Sequence, residues 1–323
     1  MGRYLIDLPA TFSTYKLSEK LEDNLWEMNI SKPSDSYKTY ILTKKMYHPA
    51  FVQFIQQREK ELAAKKTVRI ENMPFLKKTW PLATGNEGVI FERNDGASTS
   101  DFLRILEGYL YTNGVVIKLQ KQTVNDSNSR YEKQRDGDPI RNYVEKDVRQ
   151  MQSLIARISG RNDNEIPTTP GSCITNAFIA ADASATEQED ILVSVRSDKM
   201  SNVTLILETD NFVSEDNSVL DRIGEIESNL ALSRGYLERK GAFTTNGLKA
   251  EEFLAAGLQE KKDEPRYEFE LYINEMNSHY KTPGFILSLD NEGLAPTSYS
   301  KEEIITFWDT ITHTIRLRPG AFK

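Results

Sequence analysis

At 323 residues, with 41 Lys and Arg against 48 Asp and Glu, the chain carries a net charge of −7 and exceeds the size at which one hydrophobic core keeps growing. Its apolar fraction of 38% suffices for packed cores, yet no apolar run reaches the roughly 18 residues that cross a bilayer. One Cys (Cys173) and three dispersed His (His48, His279, His313) exclude an internal disulfide and a zinc-type cluster, so no metal or cofactor is expected.

The first predicted element is Gly2-Arg3-Tyr4-Leu5-Ile6-Asp7-Leu8-Pro9, a β-branched and aromatic strand stopped by proline. Ala50 to Lys65 brings Phe51, Phe54, Ile55, Leu62 and Ala63 near one helical face, with Pro49 where a first turn tolerates it. Val89–Phe91, Asp101–Tyr111 and Val115–Val124 follow, the last two joined by Asn113-Gly114, a strong hairpin signal. Asn125 to Pro139 is a polar loop, and Ile140 to Ser159 has helical spacing.

Apolar periodicity stops over Gly160–Thr169, which predicts a linker there. Strands are then expected at Ser172–Ala181, Ile191–Arg196 and Val203–Glu208, and a helix within Leu220–Leu237. Three more strands (Gly247–Leu258, Tyr267–Asn277, Gly284–Leu289) precede a final helix over Lys301–Thr314, with Ser300 and Glu303 placed as a capping box. The alternation in Tyr267–Ile273 marks an antiparallel strand with one wet face. The predicted fold is α+β in two domains, 1–165 and 166–323, each a mainly antiparallel sheet with helices packed on it. Each half ends in three strands and a helix, a pattern compatible with a diverged duplication.

Charge is unevenly spread. Residues 1–165 hold 26 Lys and Arg against 22 Asp and Glu; residues 166–323 hold 15 against 26. The acidic half argues against nucleic acid and against an anionic membrane surface. A basic protein partner is its natural complement, although solubility alone also accounts for acidity.

No Gly-x-Ser-x-Gly elbow, phosphate loop, His-Glu-x-x-His or dinucleotide fingerprint occurs. Ser172 and Cys173 form a nucleophile-like pair without a nearby His, and their apolar neighbours read as strand, so no catalytic residue is assigned. Cys173 is either a small buried hydrophobe or the partner of a Cys outside this sequence. Two acidic loops remain. In Thr209–Ser218, Asp210, Glu215 and Asp216 surround Phe212; in Asn125–Pro139 lie Asp126 and Asp136. Neither has calcium-loop spacing, and an aromatic among charges on a loop suits a protein contact. Solvated loop acids are the plainer account of both.

The first run, the middle segment Thr169-Pro170-Gly171-Ser172-Cys173-Ile174-Thr175-Asn176-Ala177-Phe178-Ile179, and the end Phe307-Trp308-Asp309-Thr310-Ile311-Thr312 with Arg316-Leu317-Arg318-Pro319-Gly320-Ala321-Phe322 together resemble a known family. It is the two-domain type VI secretion system immunity proteins cognate to the fourth class of Tle lipase effectors. The resemblance implies a non-enzymatic protein that binds a secreted lipase or phospholipase and blocks its active site or substrate entrance. It also implies a periplasmic location, since family members carry an export signal with a Cys shortly before the Gly-Arg-Tyr/Phe-Leu run; the sequence begins at Met1-Gly2 without one. Neither nucleic acid nor membrane insertion is expected. A periplasmic hydrolase with an unrecognised carboxylate-based site, or a scaffold or carbohydrate-binding module, remains the alternative from residues alone.

Overall fold

The computed structural model describes residues 1–15, 21, 25–259, 264–291 and 299–322. The chain forms two compact units. One contains Met1–Ser18, Ile166–Thr175 and Ala181–Lys323; the other contains Glu19–Glu165 and Asn176–Ala180. The units therefore differ from a plain cut at 165 and 166 in two places: the start of the chain lies with the C-terminal half, and residues 176–180 lie with the N-terminal half.

Both units repeat one topology. In the first by sequence, the hairpin Met28–Ser31 and Thr39–Lys45 leads to the helix His48–Ala64. A four-stranded meander (Leu76–Pro81, Glu87–Asn94, Leu103–Thr112, Val115–Val124) and the helix Val144–Ile155 follow. The second hairpin strand pairs antiparallel with the last meander strand, Thr39 opposite Lys121 and Lys45 opposite Val115. In the other unit the hairpin is Gln188–Ser197 and Met200–Asp210, followed by the helix Ile223–Leu232. Its meander is Gly235–Thr245, Leu248–Leu258, Pro265–Ile273 and Gly284–Asp290, and the closing helix is Lys301–Thr312. Here too the second hairpin strand closes on the last, Thr204 opposite Asp290 and Asp210 opposite Gly284. The repeat is the arrangement a diverged duplication leaves behind.

Each meander has four strands rather than three. The two meander strands absent from the sequence reading, Leu76–Pro81 and Gly235–Thr245, both stand at an edge in the strand order. Edge strands carry charges that discourage further pairing and blur the apolar alternation. Lys77 and Lys78, and Glu238, Arg239 and Lys240, are such charges. The expected helix within Leu220–Leu237 accordingly ends at Leu232. The single strand expected over Ser172–Ala181 is two short ones, Gly171–Ile174 and Ala177–Ala180, because Asn176 between them adopts a left-handed φ of 58°.

In the unit of residues 19–165, the helix His48–Ala64 lays Phe51 and Leu62 on Phe91, Tyr109 and Val116 of the sheet. A buried carboxylate, Glu107, lies beneath it. Arg58 donates to it from Nε (2.7 Å) and Nη2 (3.0 Å), Arg93 from Nε (2.6 Å), and the Tyr109 hydroxyl at 2.8 Å. Burial alone would raise the Glu107 pKa, but the two guanidiniums reverse that and hold it at about 2, below its ordinary 4.5. A depressed carboxylate contributes stability that is complete above the unfolded value and fades as pH falls through the folded one. Glu107→Gln is thus expected to destabilise the protein by about 3 kcal/mol at neutral pH. In urea titrations the difference from the unaltered protein should shrink between pH 4.5 and 2.

The other unit is closed by the chain's ends. Arg3, only 1% exposed, donates from Nη2 to Glu189 Oε1 at 2.8 Å and from Nη1 to the Ala321 carbonyl at 2.9 Å. Its guanidinium lies 4.4 Å from the Tyr280 ring centroid and 5.1 Å from that of Phe322. Ser172 donates its hydroxyl to the other oxygen of Glu189. Gly2 and Cys173 exchange both backbone hydrogen bonds (2.7 and 2.9 Å), and Tyr4–Leu5 pairs with Arg316–Leu317. Arg318, also buried, donates to the carbonyls of Pro167, Thr169 (3.0 Å) and Gly171 (2.6 Å). Gly320, at φ +71°, is obligatory here, since a Cβ would lie 2.1 Å from the Thr168 carbonyl.

Removing one member of a buried ion pair leaves an uncompensated charge, a loss of about 3–5 kcal/mol. Arg3→Met should lower unfolding stability by that amount, and Arg3→Met with Glu189→Gln should recover part of it. Equilibrium denaturation of both variants checks the expectation.

Candidate partner-binding surface

The loop after Met200–Asp210 is built by the carboxylate of Asp210. Its Oδ1 accepts the backbone N–H groups of Phe212 (3.1 Å) and Val213 (2.8 Å) and the Ser278 hydroxyl (3.1 Å). Asp210 is consequently a turn-former. Glu215 and Asp216 are exposed, and the Glu215 backbone N–H donates to the Glu275 carbonyl at 3.0 Å. Glu275 in turn accepts from the Val219 N–H (2.7 Å) and from Arg222. Phe212 is half-buried, whereas its neighbour Val213 is 46% exposed and offers more apolar surface.

The sheet beside this loop carries an acidic face that spacing along the sequence does not reveal. Asp190 stands directly opposite Asp210, and Glu268 opposite Asp290. Opposed like charges weaken a sheet. Glu208 lies on the same side of its strand as Asp210; burial, then Asp190 and Asp210, push its carboxyl above the ordinary range. Glu270 is raised as well, by burial and by Glu208 and Asp290, although Tyr272 donates its hydroxyl to it. Among these acids sit Ile206 and Ile286, half-buried, and Leu192, 44% exposed. This face can hold cations from another molecule around a small apolar centre.

The acids of the other candidate loop, Asp126 and Asp136, belong to the other unit. Asp126 is buried; it accepts from the Arg141 backbone N–H (2.8 Å) and from Arg141 Nε (2.8 Å), and Arg141 and Arg135 help hold its carboxyl below the usual range despite burial. Its work is to fold the loop. Asp136 is exposed, with a left-handed φ of 47° at the end of a one-turn helix. Cys173 is buried and unpaired, and Ser172 serves Glu189. Among the described residues no group of three His, Cys, Asp or Glu could hold a metal ion.

The sequence reading missed Glu208, Glu270, Leu192 and Val213. Alternation along Leu205-Ile206-Leu207-Glu208-Thr209-Asp210 puts Glu208 and Asp210 on one face, but only the cross-strand register adds Asp190, Glu270 and Asp290.

This architecture is that of solved immunity proteins. The apo structure of the immunity protein TplEi of the type VI secretion system from Pseudomonas aeruginosa is similar over 98% of this chain and 95% of its own, with 20% identity and a TM-score of 0.72. The chain in a crystal structure of a Tle4–Tli4 complex is similar over 98% and 96%, with 19% identity and a TM-score of 0.71. TplEi complexed with an "L" peptide gives 20% identity and a TM-score of 0.64 over 98% and 96%. No curated protein sequence matches. The chain belongs to the Tle cognate immunity protein 4 family: residues 1–161 match its N-terminal domain and residues 165–320 its C-terminal domain.

The structure separates framework acids from accessible ones, and stability should follow. Asp210→Ala is expected to cost about 1–2 kcal/mol, because three donors lose their acceptor. Glu215→Lys and Asp216→Lys should stay within about 0.5 kcal/mol of the unaltered protein. Denaturant midpoints of the three variants provide the comparison.

Proposed function

We propose that the protein is a non-enzymatic immunity protein that binds and inhibits a cognate type VI secreted lipase or phospholipase, occluding its active site or substrate entrance. The match of both halves of the chain to the immunity family carries the reading. The solved relatives include a Tle4–Tli4 complex and TplEi complexed with a peptide, which supports binding to a partner protein. Segments 1–165 and 166–323 are the N-terminal and C-terminal immunity domains of this reading, and the periplasm is its place of action. Among the described residues no helix is long and apolar enough to cross a membrane.

On this reading the acidic sheet face and the loop around Phe212, Val213, Glu215 and Asp216 meet a basic surface of the effector, and Asp136 is a further candidate in the other unit. A partner Lys or Arg beside Glu208 and Glu270 favours their ionised forms against the burial and the neighbouring acids that raise them. Complex formation then releases protons and strengthens as pH rises through their raised values.

The test is a reconstitution with the lipase encoded next to this chain. The purified protein should abolish phospholipid hydrolysis at stoichiometric amounts and hydrolyse no ester itself. Reversing Glu208, Glu215 and Asp216 to Lys should slow association about tenfold or more at low salt, with the loss shrinking in 1 M salt, where screening cuts the field to about 3 Å. Ester turnover by the protein alone, or a lipase unaffected by it, would contradict the proposal.

A further inference from the structure

We propose that Glu270 is the seat of an arginine of the effector, which takes on this carboxylate the place that the unit of residues 19–165 fills with arginines of its own. The inference rests on the inhibitor reading above and narrows its acidic face to one contact. What carries it is a carboxylate site that the chain holds twice, once filled and once open. Cross-strand register sets the two copies side by side. Glu107 stands opposite Phe91 and Gln120, and Tyr109 follows two residues on. Glu270 stands opposite Phe253 and Ser288, and Tyr272 follows two residues on. In each copy the Phe and the Tyr pack with the helix that follows the hairpin, and the tyrosine hydroxyl donates to the glutamate.

The surroundings then diverge. Glu107 receives Arg58 from that helix and Arg93 from the neighbouring strand, two residues past Phe91. Two residues past Phe253 stands Ala255, and the helix Ile223–Leu232 contains neither Lys nor Arg. That helix has 10 residues against the 17 of His48–Ala64, and the sheet beside it stays more open: Ile206, Ile286 and Ser288 are half-buried, whereas Phe91, Tyr109 and Val116 are buried. Among the described residues Glu270 accepts from Tyr272 through one oxygen, and its other oxygen accepts no hydrogen bond. The described cations of this face are engaged by other groups: Arg222 by Glu275, Arg266 by Glu268 and Arg196 by the Thr204 hydroxyl. Burial, then Glu208 and Asp290, push the Glu270 carboxyl above its ordinary range, and neither the Tyr272 bond nor Arg222 offsets them. On Glu107 the two bound guanidiniums do outweigh burial.

A guanidinium suits this place better than an ammonium. Two carboxylate oxygens, one of them already oriented by a tyrosine, can take a fork of parallel N–H donors, as Glu107 takes Nε and Nη2 of Arg58. Ile206, level with Glu270 across Ser288, and Ile286 beside it offer apolar ground for the methylene stem of an arginine. Glu208, whose carboxylate makes no hydrogen bond among the described residues, adds a second anion that acts on Glu270.

The experiment is a double-mutant cycle with the lipase encoded next to this chain. Glu270→Gln should weaken the complex about tenfold or more. The same variant keeps an acceptor for Tyr272 and removes a charge that burial and neighbouring acids oppose, so its melting temperature should equal or exceed that of the unaltered protein, the reverse of Glu107→Gln. Surface arginines and lysines of the lipase are then changed singly to Ala. One arginine change should weaken binding to the unaltered protein about tenfold or more, and binding to Glu270→Gln less than about twofold. Undiminished binding of Glu270→Gln, or a lower melting temperature for it, overturns this inference and leaves the inhibitor reading standing. So does coupling of Glu270 to a lipase lysine, or to no lipase cation. A lipase that does not bind the unaltered protein overturns the inhibitor reading and this inference with it.

Discussion

The ion pair between Arg3 and Glu189 is the constraint on which one whole unit depends. It joins the second residue after the N-terminal Met to a strand near the middle of the chain, while the same guanidinium reaches Ala321 close to the other end. A buried charge tolerates little relaxation, so its partners must be placed together: Ser172 on Glu189, and Tyr280 and Phe322 beside the guanidinium. Arg318 repeats the device with carbonyls in place of a carboxylate. Three regions far apart in sequence thereby become one packed junction. They are the same three regions that carry the family resemblance. What looks like a family signature is the framework of a fold.

The repeated topology shows how one plan accommodates opposite charge. In one copy a buried carboxylate, Glu107, is surrounded by Arg58 and Arg93 and is fully satisfied. In the other, carboxylates crowd one face of the sheet, where burial and then the neighbouring acids raise Glu208 and Glu270. The first arrangement stabilises its own unit. The second sets like charges against one another across neighbouring strands.

Much of this fold is legible in the residues. The helix of Phe51 and Leu62, the Asn113-Gly114 hairpin, the capping box of Ser300 and Glu303, and the alternation of Tyr267–Ile273 each express a local rule, and each is present. The edge strands escape because their charged residues obey solubility rather than a two-residue apolar period. The unit membership of the first residues escapes for a different reason: Arg3 reads as a surface charge until Glu189 is brought beside it. For the contact residues the limit is sharper. Glu215 and Asp216 are readable as exposed acids, yet nothing in spacing separates them from Asp126, whose carboxylate is spent on Arg141.

The discontinuous unit also sets an order of events at the ribosome. Residues 19–165 contain all but five residues of their unit and can begin packing once that stretch is complete. The other unit cannot close early. Its first strand awaits Arg316–Leu317, and the Arg3 side chain awaits the Ala321 carbonyl, more than 300 residues later. Until residues 316–321 have been made, the N-terminal segment lacks its strand partner and the Arg3 guanidinium its carbonyl acceptor, so this unit closes later than the other.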